Sequence, residues 1–146
     1  MRLDRLTLKA QEALQSAEQT AERRQHQQIE VEHLALALIQ QTDGLIPTLL
    51  KKLGVALPAL TRDLEQLLGK LPQVTGPGRV GQIYITPRLK TVLDQAEQEA
   101  ERLKDEYIST EHLMLTIVQE GGPSAGLLKQ AGVTRDRLLI VLAEVR

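Results

Sequence analysis

Apolar residues recur at helical spacing along most of this chain, and no stretch alternates as a half-buried strand does. Thr7 reads as an N-cap, and Ala10, Ala13, Leu14, Ala17 and Ala21 then form one stripe. Its small side chains predict a helix packed close to its neighbours. After the polar break His26-Gln27-Gln28, a second helix is predicted from Val31 to about Gln41. It is apolar on most sides at Leu34, Ala35, Leu36, Leu38 and Ile39, and is therefore expected to be buried. Thr42-Asp43-Gly44 marks a turn, and Leu45 to Leu53 a short third helix. Gly54 suits the left-handed position beyond that helix, with Val55 folding back over its end. Pro58 falls in the first turn of a fourth helix, where its missing N–H costs little. Leu57, Leu60, Leu64, Leu67 and Leu68 are its expected buried face.

Gly69 to Ile85 carries Pro72, Gly76, Pro77, Gly78 and Gly81 and reads as a linker, after which the pattern restarts. Thr86-Pro87 is a cap followed by proline at the first helical position. Leu89, Val92, Leu93, Ala96 and Ala100 retrace the first stripe. Ser109 is expected to cap the second buried helix, Gly121-Gly122-Pro123 to end it, and Thr134 to open the last. The restart is a repeat. Ile29–Gln40 (IEVEHLALALIQ) echoes Ile108–Gln119 (ISTEHLMLTIVQ), with His33 on His112 at an offset of 112 − 33 = 79. The same offset sets Thr7 on Thr86, Leu14 on Leu93, Ala17 on Ala96, Ala21 on Ala100 and Glu32 on Glu111. One gap later, LLKKLGV matches LLKQAGV. This is an internal duplication. The expected fold is all-α, with two pseudo-symmetric repeats of about four helices each: repeat one over 1–68, a linker over 69–85 and repeat two over 86–146.

Composition narrows this picture in three ways. A chain of 146 residues fits one domain that buries roughly 68–70% of its unfolded surface. With two tyrosines and no Phe or Trp, its core has to be aliphatic. Net charge −1 gives no general attraction to nucleic acid or to an anionic membrane, so neither is expected as a partner. No cysteine is present, which excludes disulfides and thiolate metal sites. No apolar run approaches a membrane span, and the N-terminus lacks the apolar core of a signal peptide; the expected location is cytoplasmic.

Candidate chemistry is sparse. GPGRVG (76–81) matches G-x-G-x-x-G, but it lies in a proline-broken linker without the strand and helix that a dinucleotide loop needs. No phosphate-binding loop, metal-ligand spacing or nucleophile triad is present, so no catalytic, metal or cofactor site is expected within the chain. The repeated Glu-His pairs remain. Glu32 and Glu111 fall in first turns, where a carboxylate favours the positive end of the helix dipole. His33 and His112 read as partly buried first-turn residues, and Thr7 and Thr86 as caps. The alternative is a docking corner, since helix N–H groups and a hydroxyl attract an anion while the glutamate attracts a guanidinium. A small helical enzyme using the Glu-His pairs as acid and base is a third reading. The charges at Glu97, Glu99, Glu101, Arg102, Lys104, Asp105 and Glu106 read as a solvated face.

MRLDRLT at the start, the twice-used EHL-x-L-x-[IV] core, LPQV before the linker and two L-L-K-x-x-G-V caps resemble the N-terminal domain of Clp-family AAA+ protein unfoldases. The resemblance covers nearly the whole chain and is greatest to the ClpB disaggregase type; ITPRLKTVLDQAEQEA is also similar to the ClpC type. It implies a mobile, non-catalytic module that recruits unfolded or aggregated polypeptides to a hexameric, ATP-driven machine. The expected partners are those polypeptides, the remaining ATPase domains of the hexamer, and co-chaperones or adaptors. ATP and Mg are expected for the parent protein, and no ATPase region follows Arg146, so the chain is expected to be a piece of a longer protein. The ClpB pattern places functional polar residues at Thr7, Asp105 and Glu111. The ClpC pattern places phosphoarginine-binding glutamates at Glu32 and Glu111, with Thr7 and Thr86 nearby. That pattern is read here as two corners, Thr7 with Glu32 and Thr86 with Glu111. Positions aligned with the apolar substrate groove of some ClpB domains are Gln95, Glu99 and His112, all polar.

Overall fold

The computed structural model describes residues 3–74 and 83–146; the glycine motif at 76–81 lies outside them. Among the described residues the chain forms eight α-helices: α1 (Leu8–Arg23), α2 (Val31–Gln40), α3 (Leu45–Lys52), α4 (Leu57–Gly69), α5 (Pro87–Arg102), α6 (Thr110–Ile117), α7 (Pro123–Gln130) and α8 (Arg135–Val145). The caps do what their residue types dictate. The Thr7 hydroxyl accepts from the Ala10 N–H at 3.2 Å, and the Thr86 hydroxyl from the Leu89 N–H at the same distance. Gly54 and Gly132 take the left-handed conformation (φ 80° and 90°). Val55 and Val133 then donate back to Leu50 and Leu128, closing α3 and α7.

Ala10, Ala13, Ala17 and Ala21 are fully buried, so α1 can lie directly on α2; α5 lies on α6 through Val92, Ala96 and Ala100 in the same way. Every residue from Val31 to Ile39 and from Thr110 to Ile117 is buried, making α2 and α6 the central pair. On α4, Leu60, Leu64 and Leu68 are buried, while Leu57 and Leu67 are only partly so.

The two repeats interlock. The third helix of each packs on the other half: α3 against α6 and α8, and α7 against α2 and α4. One aliphatic core therefore runs through both, from Leu34, Leu38 and Leu64 to Leu113, Leu115 and Leu142. The expectation of no strand is corrected. Gln28–Ile29 (β1) pairs in parallel with Tyr84–Ile85 (β2), and Leu6 bridges Ile108 in parallel at the equivalent place. Two-residue strands leave no alternation to read, and the partner lies across the duplication. Likewise Gly69 closes α4 and Tyr84–Ile85 form β2, so the element boundaries cut into both ends of the segment read as linker. Arg5 reinforces the second ribbon by donating through Nε and Nη2 to the Glu106 carbonyl (3.1 and 2.9 Å).

Ala17→Leu should force α1 off α2, at a cost of about 1–3 kcal/mol. Glu18→Ala, next to it on the exposed face, should change stability by no more than about 0.5 kcal/mol. Urea unfolding midpoints compare the two.

Candidate functional site

The ribbons set the geometry of the candidate residues. Within each repeat the first and second helices run antiparallel, as Lys9 at the start of α1 bonding Thr42 beyond α2 makes plain. The capping threonine and the first-turn glutamate of one repeat therefore stand a helix length apart, roughly 12–15 Å for helices of this size. Across the repeats they meet. Thr7 donates its N–H to the Ile108 carbonyl (3.0 Å), three residues before Glu111, and Thr86 to Ile29 (3.1 Å), three before Glu32. The expected pairing of Thr7 with Glu32 and Thr86 with Glu111 is thus corrected: the corners are Thr86 with Glu32 and Thr7 with Asp105 and Glu111.

Each corner already holds a guanidinium. At the first, Arg88 forks onto Glu120 (Nη2–Oε1 2.6 Å, Nε–Oε2 3.2 Å) and reaches Glu32 at 3.3 Å and Glu30 at 3.7 Å. Ser124 completes Glu32 by donating its hydroxyl at 2.8 Å. The Glu120 hydrogen bonds raise the Arg88 pKa further above its ordinary value, against the pull of burial. At the second corner Arg146 reaches Asp105 (2.8 Å) and Glu111 (2.9 Å). Burial pushes both carboxyls up, but the hydrogen bonds outweigh it and hold both below their ordinary values. These come from Arg146 and His112 on Asp105, and from Ser109 and Arg146 on Glu111. The arginines of the two corners are equally exposed, Arg88 at 39% and Arg146 at 37%, and the difference in access lies in the carboxylates: Glu32 and Glu120 are 6% and 10% exposed, Glu111 and Asp105 11% and 27%.

Behind each corner lies a fully buried histidine. His33 Nδ1 accepts from the Glu30 N–H and His112 Nδ1 from the Ser109 N–H, both at 2.8 Å, satisfying a donor that the helix start leaves free. The remaining proton is thereby fixed on Nε2. His112 Nε2 donates to Asp105 at 2.7 Å, and His33 Nε2 to His26 Nδ1 at 2.8 Å. His26 and Asp105 are repeat equivalents, since 105 − 26 = 79. The expectation of partly buried histidines is corrected to complete burial, and a closed imidazole offers no base to a cleft. Glu99 likewise departs from the solvated face expected of it. It is 2% exposed and bound by Arg102 and Arg135.

The sequence reading missed Arg88, Arg146, Ser124 and Glu120. Arg88 did leave a signal: a cation in the first turn of a helix opposes the dipole and needs carboxylate partners. Among the described residues no cluster of three or more His, Asp or Glu side chains could hold a metal ion.

Burial, then His26 and Arg24, lower the His33 pKa from 6.5 to about 4. The unfolded chain thus takes up a proton on falling below pH 6.5 while the folded chain refuses it. Stability should be full above that value and fall by at most about 3 kcal/mol on acidification to about 4. Melting curves across this range, with His33 ring signals that stay unshifted until the acid end, would check it. Arg88→Met should cost about 1–3 kcal/mol by stranding Glu32 and Glu120, read by chemical denaturation.

The Clp repeat (R) N-terminal domain model matches residues 5–131. The chain is 41% identical to the chaperone protein ClpB of Bacillus cereus over 147 aligned positions, covering all of this chain and 17% of that protein. The ClpB of Nitratidesulfovibrio vulgaris is 40% identical, again over the whole chain and 17% of the relative. This chain therefore spans about one sixth of the length of the curated relatives it matches. In fold it is similar to the Hsp104 N-terminal domain of Candida albicans (TM-score 0.78, 21% identity, 91% of this chain and 85% of that one). It is also similar to the N-terminal domain of the ClpV1 ATPase of E. coli (TM-score 0.81, 23% identity, 95% and 84%). With its duplicated helical double bundle and a family match over most of its length, the chain belongs to the Clp repeat N-terminal domain family.

Proposed function

We propose that this chain is the non-catalytic, substrate-recruiting module of a ClpB-type disaggregase. Its ligands are unfolded or aggregated polypeptides and, as further partners, co-chaperones or adaptors. In this reading the parent protein is a cytoplasmic hexamer whose other domains bind ATP and Mg. The observation that carries it is identity of about 40% to ClpB chaperones over the entire chain. Two structural features support it: the histidines of the Glu-His pairs, His33 and His112, are closed inside the fold rather than presented in a cleft, and no helix among the described residues is long and apolar enough to cross a membrane.

The docking residues assigned on this reading are Thr7, Asp105 and Glu111, the more accessible corner, with Thr86 and Glu32 as their repeat equivalents. A cationic group of a bound polypeptide replaces Arg146 on the Asp105 and Glu111 carboxylates. Phosphoarginine recognition, the ClpC-type reading, draws support from one observation: both corners hold a guanidinium against the repeat-equivalent glutamates. The phosphate of such a ligand would lie toward the capping hydroxyl of Thr7 or Thr86.

Reduced, carboxymethylated lactalbumin should bind the chain saturably, and Asp105→Ala with Glu111→Ala should weaken it by about tenfold, the loss of one charge-assisted contact. Unchanged affinity in that double variant would remove the corner from the site, and no binding at all would sink the module reading. Free phosphoarginine is measured in parallel by calorimetry; absence of heat rules out the ClpC-type reading.

A further inference from the structure

We infer that His112 is a positioning residue for the corner of Asp105 and Glu111. Its imidazole holds the Asp105 carboxylate with both oxygens toward the ligand, which favours an arginine of the bound polypeptide over a lysine. A planar guanidinium spans the two oxygens of a carboxylate and depends on their orientation, whereas an ammonium is a point charge that does not. The inference rests on the reading of that corner as a docking site. It adds a residue that is fully buried and therefore outside the ligand's reach.

Asp105 enters the corner from a turn whose backbone is already fixed. Lys104 takes the left-handed conformation (φ 60°), and the Asp105 N–H donates to the Ala100 carbonyl at 2.8 Å, closing α5. The side chain keeps two rotatable bonds and is 27% exposed. A partly exposed carboxylate of this kind spreads over several rotamers, and the cost of ordering it is one reason that surface ion pairs are weak. His112 does the ordering beforehand. Nδ1 of its ring accepts from the Ser109 N–H, and Nε2 donates to Asp105 Oδ2 at 2.7 Å. With Oδ2 held from behind, the Arg146 fork meets Oδ2 at 2.8 Å and Oδ1 at 3.3 Å, the two-point contact that suits a guanidinium.

The duplication separates this role from that of building the helix. His33 makes the same Nδ1 contact at the start of α2, to the Glu30 N–H, and its Nε2 meets His26, which also follows a left-handed residue, Gln25 (φ 61°). Closing the buried ring therefore requires only an acceptor. Repeat one supplies it from an imidazole that is itself buried, at 3% exposure. Repeat two supplies it from a carboxylate that faces outward and carries an arginine. Helix building explains the Nδ1 bond in both repeats; the link from Nε2 to a docking residue belongs to repeat two.

The test is an NMR titration with an unstructured glycine-serine peptide that carries one arginine, and with its lysine counterpart. Asparagine places an acceptor where Nδ1 stood but no donor at Nε2, and glutamine does the reverse. His112→Asn should bind the arginine peptide roughly fivefold more weakly and lose the preference over lysine, as expected when a side chain must be ordered on binding. Its Asp105 carboxyl should also titrate closer to the ordinary value, one hydrogen bond having gone. His112→Gln should keep both affinity and preference, and His33→Asn, the same change in repeat one, should alter neither. In the unsubstituted chain, which needs no variant to fold, the Nε2 proton of His112 should shift with the arginine peptide while that of His33 stays. Unchanged affinity and preference in His112→Asn, an equal loss in His112→Gln or His33→Asn, or an unshifted His112 proton would overturn the inference. The corner itself stands in those cases if Asp105→Ala with Glu111→Ala still weakens binding. If the arginine peptide does not bind at all, corner and inference fall together.

Discussion

Two backbone hydrogen bonds, Thr7 to Ile108 and Thr86 to Ile29, fix how the halves of this chain meet. They occupy equivalent places in the duplication, and each ties the start of one repeat's first helix to the segment that enters the other repeat's second helix. A repeat taken alone would have no partner strand and would leave its third helix without the surface it packs on, since α3 covers α6 and α7 covers α2. The exchange makes one core from two copies. It also explains why the cap threonine of one half and the first-turn glutamate of the other share a corner.

The corners follow from that exchange and from the buried histidines behind them. A histidine three residues after the start of α2 and α6 accepts the N–H of the residue before the helix, leaving its Nε2 proton to be matched. Repeat two matches it with Asp105 and repeat one with His26. The consequence is electrical. The Asp105 carboxylate joins Glu111 around Arg146; repeat one has an imidazole, His26, in place of that carboxylate, and its corner instead gathers Glu30, Glu32 and Glu120 around Arg88. A single difference inside a duplicated network, His26 against Asp105, thus accompanies two corners that surround the same kind of cation with different carboxylates.

Neither corner is an empty acidic site. Both glutamates are neutralised by the chain's own arginines, so an incoming cation exchanges with a guanidinium that is already bound.

The helices, their caps and the duplication were legible in the sequence because each depends on neighbours along the chain. A threonine caps the helix that follows it, a glycine ends the helix before it, and an alanine stripe identifies its own buried face at Ala10, Ala13, Ala17 and Ala21. Thr7, Glu32, Thr86, Asp105 and Glu111 could be singled out for the same reason, as repeated polar residues at helix starts or as residues matching a family pattern. Their grouping could not. Helical periodicity records which residues share a face but not which helix comes to lie against it, and the two-residue ribbons that decide the matter are too short to show alternation. The burial of Glu99 and the arginines at 88 and 146 belong to the same class. Ionic contacts between residues tens of positions apart leave no periodic trace, and only the crossing of the two repeats brings those charges together.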